Sequence, residues 1–360
     1  MPSSFAALTA LFILAPALAA PPFSLQFLPS PSDNGFRNAS LWSWGGGTLL
    51  VDGTYHLFAS AFTSGCGLGA WTTNSIAIHA ISPSALGPFS FVSRALPYYH
   101  HNVQPILAPD GTFLIFAIGM VPDPAPKRCA PGEPGGVPPL EHGFESTEVW
   151  FAPTVDGPWS PVEVAGSNGR NIFNSTNPSP FFHPSGNGTI VVMGHVPDVT
   201  VFHVSVAPSW RGPYSAPRPV FDTESGGYTG EDPFLWYDAQ IPNGEGGLGA
   251  WRCLYHMYNK TDPRHQYRVG GYAQSAGPDI FGAWEVQPNE TPAYTADFTT
   301  YVSGSAGPTQ TTTLARRERP KLFRDPATGA PSVLYSGACA AASGNDCFTI
   351  AAPIAMGAAA

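Results

Sequence analysis

The sequence contains few charged residues and no pattern of a long amphipathic helix. Only 11% of the 360 residues are charged, and lysine and glutamate are scarce. Long helices need straight-chain helix formers, and no apolar run repeats with a period of 3.6 residues. The net charge of −9 argues against a nucleic-acid binder, because neutralising phosphates requires an excess of Lys and Arg. Helical bundles and nucleic-acid partners are therefore both disfavoured.

Apolar runs long enough to cross a membrane are also missing. The longest apolar stretch, residues 5–18, is short for a bilayer and ends in the small-x-small pattern Ala17-Leu18-Ala19. This pattern predicts a signal peptide over residues 1–19, followed by a single domain over 20–360. The protein is expected to be secreted, without membrane insertion. Glycosylation is predicted from five N-x-[ST] sequons, at Asn38, Asn174, Asn187, Asn259 and Asn289.

The five cysteines fit an oxidising compartment. Cys339 and Cys347 flank a short turn of Gly, Ser and Asn, which predicts a disulfide between them. Cys66 and Cys129 form a plausible second pair. Cys253 lies in an apolar strand-like run and is interpreted as a buried free thiol. No cysteine or histidine spacing indicates a zinc site.

Glycine (39 residues) and proline (40 residues) are abundant, and they divide the chain into short runs rich in Val, Ile, Phe, Tyr and Thr. Such runs predict an all-β protein. One element recurs as "NVQPILAPDGTFLIFAIG", "NPSPFFHPSGNGTIVVMGH", "EDPFLWYDAQ…WRCLYHMYN" and "RPKLFRDPATGAPSVLYSG". A fifth copy, "SWGGGTLLVDGTYHLFAS", has glycines where the others have proline. A second element, "SPSALGPFS", "APTVDGPWS", "APSWRGPYS" or "SAGPDIFGAW", follows most copies.

Five copies of a four-strand repeat predict a five-bladed β-propeller with four antiparallel strands in each blade. The Gly-Pro-aromatic element would connect the outer strands and pack its aromatic residue between blades, at Phe89, Trp159, Tyr214 and Trp284. The N-terminal stretch "FSLQFLP" is expected to close the ring by pairing with the last blade. A pair of β-sandwiches is the alternative, although it would not predict five similar copies.

The polar residues that precede each inner strand are predicted to line the central funnel. The basic cluster "RRER" at 316–319 is then explained by its position where an inner strand enters the funnel. The five blades contribute, in order, Trp42, Ser43 and Trp44; His100, His101, Asn102 and Gln104; Asn174 and Asn177; Glu231 and Asp232; and Arg317, Glu318 and Arg319.

"GEDPFLWYD" and "NPSPFFHPSGNGTIVVM" resemble the inner strands of the five-bladed propeller glycosidases, the arabinanase, β-xylosidase, levansucrase and invertase group (glycoside hydrolase family 43-like). The resemblance covers most of the mature chain as a pattern of short motifs, and it implies an Asp base, a middle-blade Asp and a Glu acid. Glu231 matches the acid. Asn177 stands where the middle-blade Asp would be, and Gly45–Gly47 replace the base. These departures indicate a divergent member of the group.

Glycosidic cleavage needs one protonated and one ionised carboxyl, and Glu231, Glu318 and Asp232 are the candidates. Asp232 beside Glu231 should raise the pKa of Glu231 and suit an acid, whereas the neighbouring arginines should keep Glu318 ionised. Strand alternation puts Arg317 and Arg319 on one face, opposite Glu318. Because arginine forks bind anions, an acidic or sulfated sugar is a possible substrate.

Asn177, His100, His101 and Asn102 are expected to bind substrate, and Trp42 and Trp44 to stack on sugar rings. Two other functions stay open. The glycines of blade one are compatible with a catalytically inactive carbohydrate-binding propeller. A histidine base, with Tyr98 or Tyr99 near by, is compatible with a uronate lyase. No cofactor is predicted, with a single axial ion left open, and the protein is expected to be a monomer with a carbohydrate ligand.

Overall fold

A computed structural model describes residues 22–121, 126, 128–129, 144–163, 172, 176–196, 200–224, 228–244, 246–259, 269–341 and 344–355. These residues form five antiparallel sheets arranged as a β-propeller, so the predicted all-β fold and blade number are confirmed. The predicted signal peptide and Asn174 lie outside the described residues.

The strands follow one another outward within each blade. Blade one contains β1 (Trp42–Val51), β2 (Thr54–Phe62), β3 (Ser75–Ser82) and β4 (Ser90–Leu96), with a 3₁₀ turn (Leu68–Ala70) and α1 (Trp71–Asn74) between β2 and β3. Blade two contains β5 (His101–Leu107), β6 (Phe113–Val121), β7 (Phe144–Ala152) and β8 (Ser160–Pro161). Blade three contains β9 (Thr176–Phe182), β10 (Ile190–His195), β11 (Val201–Ala207) and β12 (Arg218–Asp222).

Blade four contains β13 (Tyr228–Pro242), β14 (Leu248–Asn259), β15 (Val269–Ser275) and β16 (Trp284–Val286). A separate hairpin of β17 (Asp297–Tyr301) and β18 (Thr309–Thr313) precedes blade five, which contains β19 (Arg316–Arg324), β20 (Pro331–Cys339) and β21 (Cys347–Pro353). The innermost strands neighbour one another in a closed ring: β1 contacts β5 and β19, β9 contacts β5 and β13, and β13 contacts β19. The ring therefore brings five strand entrances around one axis.

The Gly-Pro-aromatic turns connect the third and fourth strands of a blade, as predicted. Their aromatic residues pack against the preceding blade and fill the hydrophobic core between sheets. The ring pairs, with centroid separations, are Phe89 and Tyr335 (6.2 Å), Trp159 and Phe58 (5.4 Å), and Trp284 and Phe221 (4.8 Å). Tyr214 packs into the cluster between blades two and three.

The N-terminal segment closes the ring at the outer edge of blade five, where the fourth strand would lie. The backbone N–H of Leu28 donates to the carbonyl of Pro353, and the N–H of Ala355 donates to that of Gln26. An antiparallel bridge joins Phe27 to Ile354. The predicted closure is therefore confirmed.

Both predicted disulfides, Cys66–Cys129 and Cys339–Cys347, are present. Cys253 is a buried free thiol, also as predicted. Among the described residues, no helix is long and apolar enough to cross a membrane.

Candidate functional site

Each inner strand carries a left-handed residue near its N-terminal end, at the same position in all five blades, and in β1 the next residue, Gly46, also has a positive φ. These residues are Gly45, Asn102, Asn177, Asp232 and Arg319, with φ of 62°, 50°, 59°, 59° and 58°. A register shift of the β-ladder accompanies each of them. Gly, Asn and Asp tolerate this conformation, whereas it is costly for Arg. The position of Arg319 must therefore be fixed by its contacts.

Those contacts form a hydrogen-bonded network across the axis. Arg319 Nη1 donates to Asp232 Oδ1 and to Asn177 Oδ1. Asn102 Nδ2 also donates to Asn177 Oδ1, at 2.8 Å. In blade one, a Cβ on Gly45 would lie only 2.9 Å from Arg319 Cβ. The absence of a side chain at Gly45 therefore leaves space for an arginine from blade five.

Two glutamates occupy equivalent positions beside this network, since Glu231 precedes Asp232 and Glu318 precedes Arg319. His256 on β14 lies opposite Glu231, with its Nδ1 3.3 Å from Glu231 Oε1 and 3.6 Å from Asp232 Oδ2. One side-chain donor atom from each of Glu231, Asp232, His256 and Glu318 lies within 4.8 Å of the others. The Glu231 side chain is 26% exposed, whereas that of Glu318 is 5% exposed. Glu231 is therefore the more open of the two carboxyls.

His256 supplies the positive charge of this cluster. Its burial would lower its pKa, but the charge of Glu318 and hydrogen bonds to Asp232 and Glu231 outweigh burial and raise the pKa to about 10. The ring is therefore an imidazolium at neutral pH. It offsets part of the negative charge that three neighbouring carboxyls would otherwise concentrate.

The pKa values of the two glutamates are shifted in opposite directions. Burial raises the pKa of Glu318 to about 7, opposed by His256 and Arg316 and assisted by the charges of Glu231 and Asp232. Burial also acts to raise the pKa of Glu231, but its hydrogen bond to His256 and the charges of His256 and Arg319 bring it well below its usual range. The pKa directions expected from sequence neighbours were thus wrong for both residues. The groups that decide them come from other strands.

Strand alternation was also wrong for the basic segment of β19. The ladder shifts register between Glu318 and Lys321, and the left-handed Arg319 turns the chain, so Arg319 and Glu318 both reach the axial cluster. Arg317 is fully buried and does not line the funnel. Its guanidinium donates to the carbonyls of Thr295 and Asp297.

Of the histidines predicted to bind substrate, only His101 adjoins the axial residues. Its pKa is lowered by burial and by the charge of Arg319, and its Nδ1 lies 2.8 Å from Ser75 Oγ. His100 is held elsewhere, with Nε2 3.3 Å from the buried Glu148 and Nδ1 facing the carbonyl of Tyr98. This arrangement gives no support to a base formed by His100 with Tyr98.

The predicted tryptophans separate into two environments. Trp44 is 1% exposed and packs in a cluster that contains the Cys339–Cys347 disulfide, so it cannot stack on a ligand. Trp42 and Trp71 are partly exposed at the edge of the same cluster. The ring of Trp71 lies 5.2 Å from that of His101. Trp71 therefore offers accessible aromatic surface beside His101, and the partly exposed Tyr258 has its ring 5.9 Å from that of His256.

His256 is the principal residue that sequence reasoning missed. It had no recognisable ligand spacing, but it lies in the second strand of the "EDPFLWYD…WRCLYHMYN" hairpin. Glu231 pairs with His256 only because the ladder shifts register between Glu231 and Phe234, since the register of the Phe234–Leu254 pair would place Met257 opposite Glu231. No sequence signal marks that shift, so sequence reasoning could not place His256 at the site.

The axial cluster is also the place where a divalent cation would fit. Its carboxylate oxygens are the donors that Ca²⁺ and Mg²⁺ prefer, and one oxygen each of Asp232 and Glu318 is buried without a hydrogen-bond partner in the described part of the chain. The carboxylates of Glu231, Asp232 and Glu318 would hold the ion, and His256 could join them only after losing its proton. The axial ion left open by the sequence stays a prediction.

Neither a protein-family model nor a curated protein matches the sequence. Solved structures do match. The endo-arabinase of Bacteroides thetaiotaomicron is 13% identical, with 92% of this chain and 98% of that chain covered and a TM-score of 0.55. A thermostable family-43 glycoside hydrolase is 12% identical (89% and 91% covered, TM-score 0.56). The catalytic domain of the Coprinopsis cinerea GH62 α-L-arabinofuranosidase is 11% identical (92% and 98% covered, TM-score 0.57). The chain therefore shares the five-bladed propeller fold of these glycoside hydrolases.

Proposed function

We propose that the protein is a secreted glycoside hydrolase that cleaves its substrate at the axial cluster. The observation that carries this proposal is the pair Glu231 and Glu318, whose carboxylate oxygens lie within 4.8 Å of each other and whose pKa values move in opposite directions. Two carboxyls kept in different protonation states are the requirement for glycosidic cleavage. The shared fold of known glycoside hydrolases supports the same conclusion.

Glu318 is the general acid. Its pKa of about 7 keeps much of it protonated at neutral pH, so it donates a proton to the oxygen of the departing sugar. Glu231 is ionised and more exposed, so it attacks the anomeric carbon. The short separation between the carboxyls fits a retaining mechanism, in which about 5–5.5 Å is usual, better than the about 6.5–9.5 Å of inverting enzymes. Glu318, now ionised, then takes a proton from the water that releases the second product.

The neighbouring residues position this pair. Asp232 is fully buried and bound to Arg319, so it fixes the guanidinium and contributes no proton. Arg319 and the imidazolium of His256 both keep Glu231 ionised. Asn102 and Asn177 are buried on the other side of the axis, where they position Arg319 through Asn177 Oδ1.

The charges near the axis favour a neutral sugar over an acidic one. Three carboxyls face three cationic groups, Arg316, Arg319 and His256, so no large positive excess attracts an anion. An acidic or sulfated sugar would depend on Arg316, whose side chain is 25% exposed, because Arg317 is buried elsewhere. Trp42 and Trp71 provide surfaces on which a neutral sugar would stack.

The test is turnover of neutral, uronic and sulfated glycans by the wild-type protein, Glu231→Gln and Glu318→Gln. Glu285→Gln, at an exposed position of β16, is the matched control. We expect each site variant to lower kcat by about 10²–10⁴-fold, whereas the control retains full rate. NMR of the first product should show the anomeric configuration of the substrate. Full turnover by either site variant would contradict the proposal.

A carbohydrate-binding propeller without catalysis is the second candidate, because Gly45 and Arg319 occupy the place of a blade-one base. For that function we expect glycan binding without turnover. Binding would persist in Glu318→Gln, and loss of binding in Arg316→Ala would indicate an acidic ligand. Secretion, glycosylation and a monomeric state are proposed with either function, and the two disulfides are consistent with an oxidising compartment.

A further inference from the structure

A second group of possible metal ligands lies at the seam between blades one and two, away from the axial cluster. His56 and Phe58 are two residues apart on β2 and so share a face, and Phe58 pairs with His79 on β3. Asp156 approaches the same face from the turn between β7 and β8. His56 pairs with Leu49 near the β1–β2 turn, at the end of blade one opposite Gly45.

The geometry of the three side chains is well defined. His56 Nδ1 lies 2.9 Å from His79 Nε2, and His79 Nδ1 lies 3.7 Å from Asp156 Oδ1. One donor atom from each of the three residues lies within 4.8 Å of the others. The His79 ring is stacked against the rings of Phe58, at 4.7 Å, and His56, at 5.1 Å. The imidazoles are therefore held in place before any ligand arrives.

None of these contacts provides a hydrogen-bond partner for His79 Nδ1. His79 is 1% exposed, and its Nδ1 makes no hydrogen bond to any described residue. The 3.7 Å to Asp156 is too long for a hydrogen bond. Two ligands on one Zn²⁺, each bound at about 2.0–2.2 Å, can be up to about 4 Å apart. The separation therefore suits a shared ion.

We propose that His56, His79 and Asp156 bind a divalent transition-metal ion such as Zn²⁺, with water completing the coordination. Two imidazoles and a carboxylate are a donor set that suits Zn²⁺ better than Ca²⁺ or Mg²⁺. The Asp156 side chain is 71% exposed, so the ion has a route from solvent. Binding would join blade one to blade two, a role separate from hydrolysis at the axis.

The protonation of the imidazoles supports this assignment. Burial and the neighbouring His56 lower the pKa of His79 to about 4, and burial also lowers the pKa of His56. Both rings are therefore neutral at pH 7, so neither has to lose a charge-bearing proton to bind a metal. Because a neutral imidazole has a single lone pair, an ion held by both rings would replace the hydrogen bond between His56 Nδ1 and His79 Nε2.

The experiment is a Zn²⁺ titration of the full chain by calorimetry at pH 7, with Co²⁺ as a spectroscopic probe of imidazole ligation. Asp156→Asn is the test variant because its exposed side chain can be changed without disturbing the buried rings. Asp33→Asn, at an exposed position of the N-terminal segment, is the control. We expect one Zn²⁺ bound by the wild type and by the control, at least about 10-fold weaker binding by Asp156→Asn, and an imidazole-type Co²⁺ spectrum.

Two results would overturn the assignment. Equal Zn²⁺ affinity in Asp156→Asn and the wild type would remove Asp156 from the site. Loss of Zn²⁺ binding in Glu318→Gln, with Asp156→Asn unaffected, would place the ion in the axial cluster. Because the readout is metal binding and not turnover, neither result depends on the proposed hydrolase activity.

Discussion

Glu318 is the residue at which burial and charge compete most directly. Burial acts to raise its pKa, whereas His256 and Arg316 act to lower it. Arg316 Nη1 lies 3.7 Å from Glu318 Oε1, and its side chain is partly exposed. Arg316 therefore offers a way to move the pKa of Glu318 without changing the carboxyl itself.

Substituting Arg316→Ala should shift the alkaline limit of hydrolysis to higher pH. In the wild type we expect kcat/KM to fall as pH rises through about 7, the pKa of Glu318, because a general acid must be protonated. Removing the positive charge raises that pKa further. The measurement is the pH profile of kcat/KM for both proteins. Arg94→Ala, at an exposed position of β4, should leave the profile unchanged, and an unshifted limit in Arg316→Ala would contradict the role of Glu318.

The same pKa determines how Glu318 affects stability. Its folded value of about 7 is above the ordinary 4.5, so the folded protein binds more protons between these two pH values. The contribution of Glu318 to the free energy of unfolding is therefore fully present below about pH 4.5 and falls as pH rises towards 7. The stability contribution of Glu318 is thus lost between about pH 4.5 and 7, whereas hydrolysis is expected to fall as pH rises through about 7.

At the scale of the strand, the left-handed residues and their register shifts determine which side chains reach the axis. Asn177 accepts hydrogen bonds at a single oxygen, Oδ1, from Asn102, Thr176 and Arg319. Its own backbone has φ of 59°. Asn177 therefore has to adopt a positive φ and also to supply a hydrogen-bond acceptor. Substitutions can test these two requirements one at a time.

Replacing Asn177 with Asp should preserve the acceptor, whereas Asn177→Gly should remove it without straining the backbone. We expect Asn177→Gly to lower the free energy of unfolding by about 1–3 kcal/mol, because three donors lose their partner. Asn177→Asp should cost clearly less. Asn177→Ala should cost more than Asn177→Gly, since alanine disfavours positive φ. Urea unfolding measures all three, and equal losses for Gly and Asp would show that the acceptor contributes nothing.

The strands and turns could be read from the sequence because their signals are local. Gly-Pro-aromatic turns such as that at Phe89 occur in the first three blades, and short apolar runs cut by turns recur in all five, which predicted both the blades and their order. Alternation failed at Arg319, because the register shift between Glu318 and Lys321 brings Arg319 to the same axial cluster as Glu318 instead of the face of Arg317. Nothing in "RRERP" marks that shift. It becomes visible only when the five inner strands are compared in space.

At the scale of the whole molecule, the ring is closed by hydrogen bonds from a segment that is far from blade five in sequence. Phe23, at the start of the described chain, is 3% exposed and stacks on Tyr272 of blade four at 4.2 Å. Its backbone N–H donates to Gln287 Oε1. The N-terminal segment thus holds the blade-four side of the ring as well as blade five.

Truncating Phe23→Ala should therefore destabilise the entire propeller. The expected loss in free energy of unfolding is about 3–5 kcal/mol, typical of a buried phenylalanine. Leu28→Ala is the matched control in the same segment, because Leu28 is 52% exposed and should change stability by no more than about 0.5 kcal/mol. Thermal and urea unfolding measure both. Similar stability of the two variants would mean that the segment is not needed to close the ring.

The site could be predicted only in part, because it belongs to the whole ring. Glu231 and Glu318 were found from their places at strand entrances, and they lie together as expected. His256 lies on a second strand, and the pKa of Glu318 depends on burial, which no local pattern reports. Arg317 and Trp44 were predicted on the correct strands, but their side chains are buried and do not line the funnel.

The five left-handed axial positions also bear on how such proteins diverge. One backbone conformation recurs at Gly45, Asn102, Asn177, Asp232 and Arg319, yet the five residues differ in size, charge and chemistry. Because these positions lie at the axis and not in the core between sheets, we expect a change in one blade to be compensated in another without altering the packing. A lineage of this fold is thereby free to relocate its reactive groups around the ring, so descent of the scaffold and descent of the chemistry need not follow the same path.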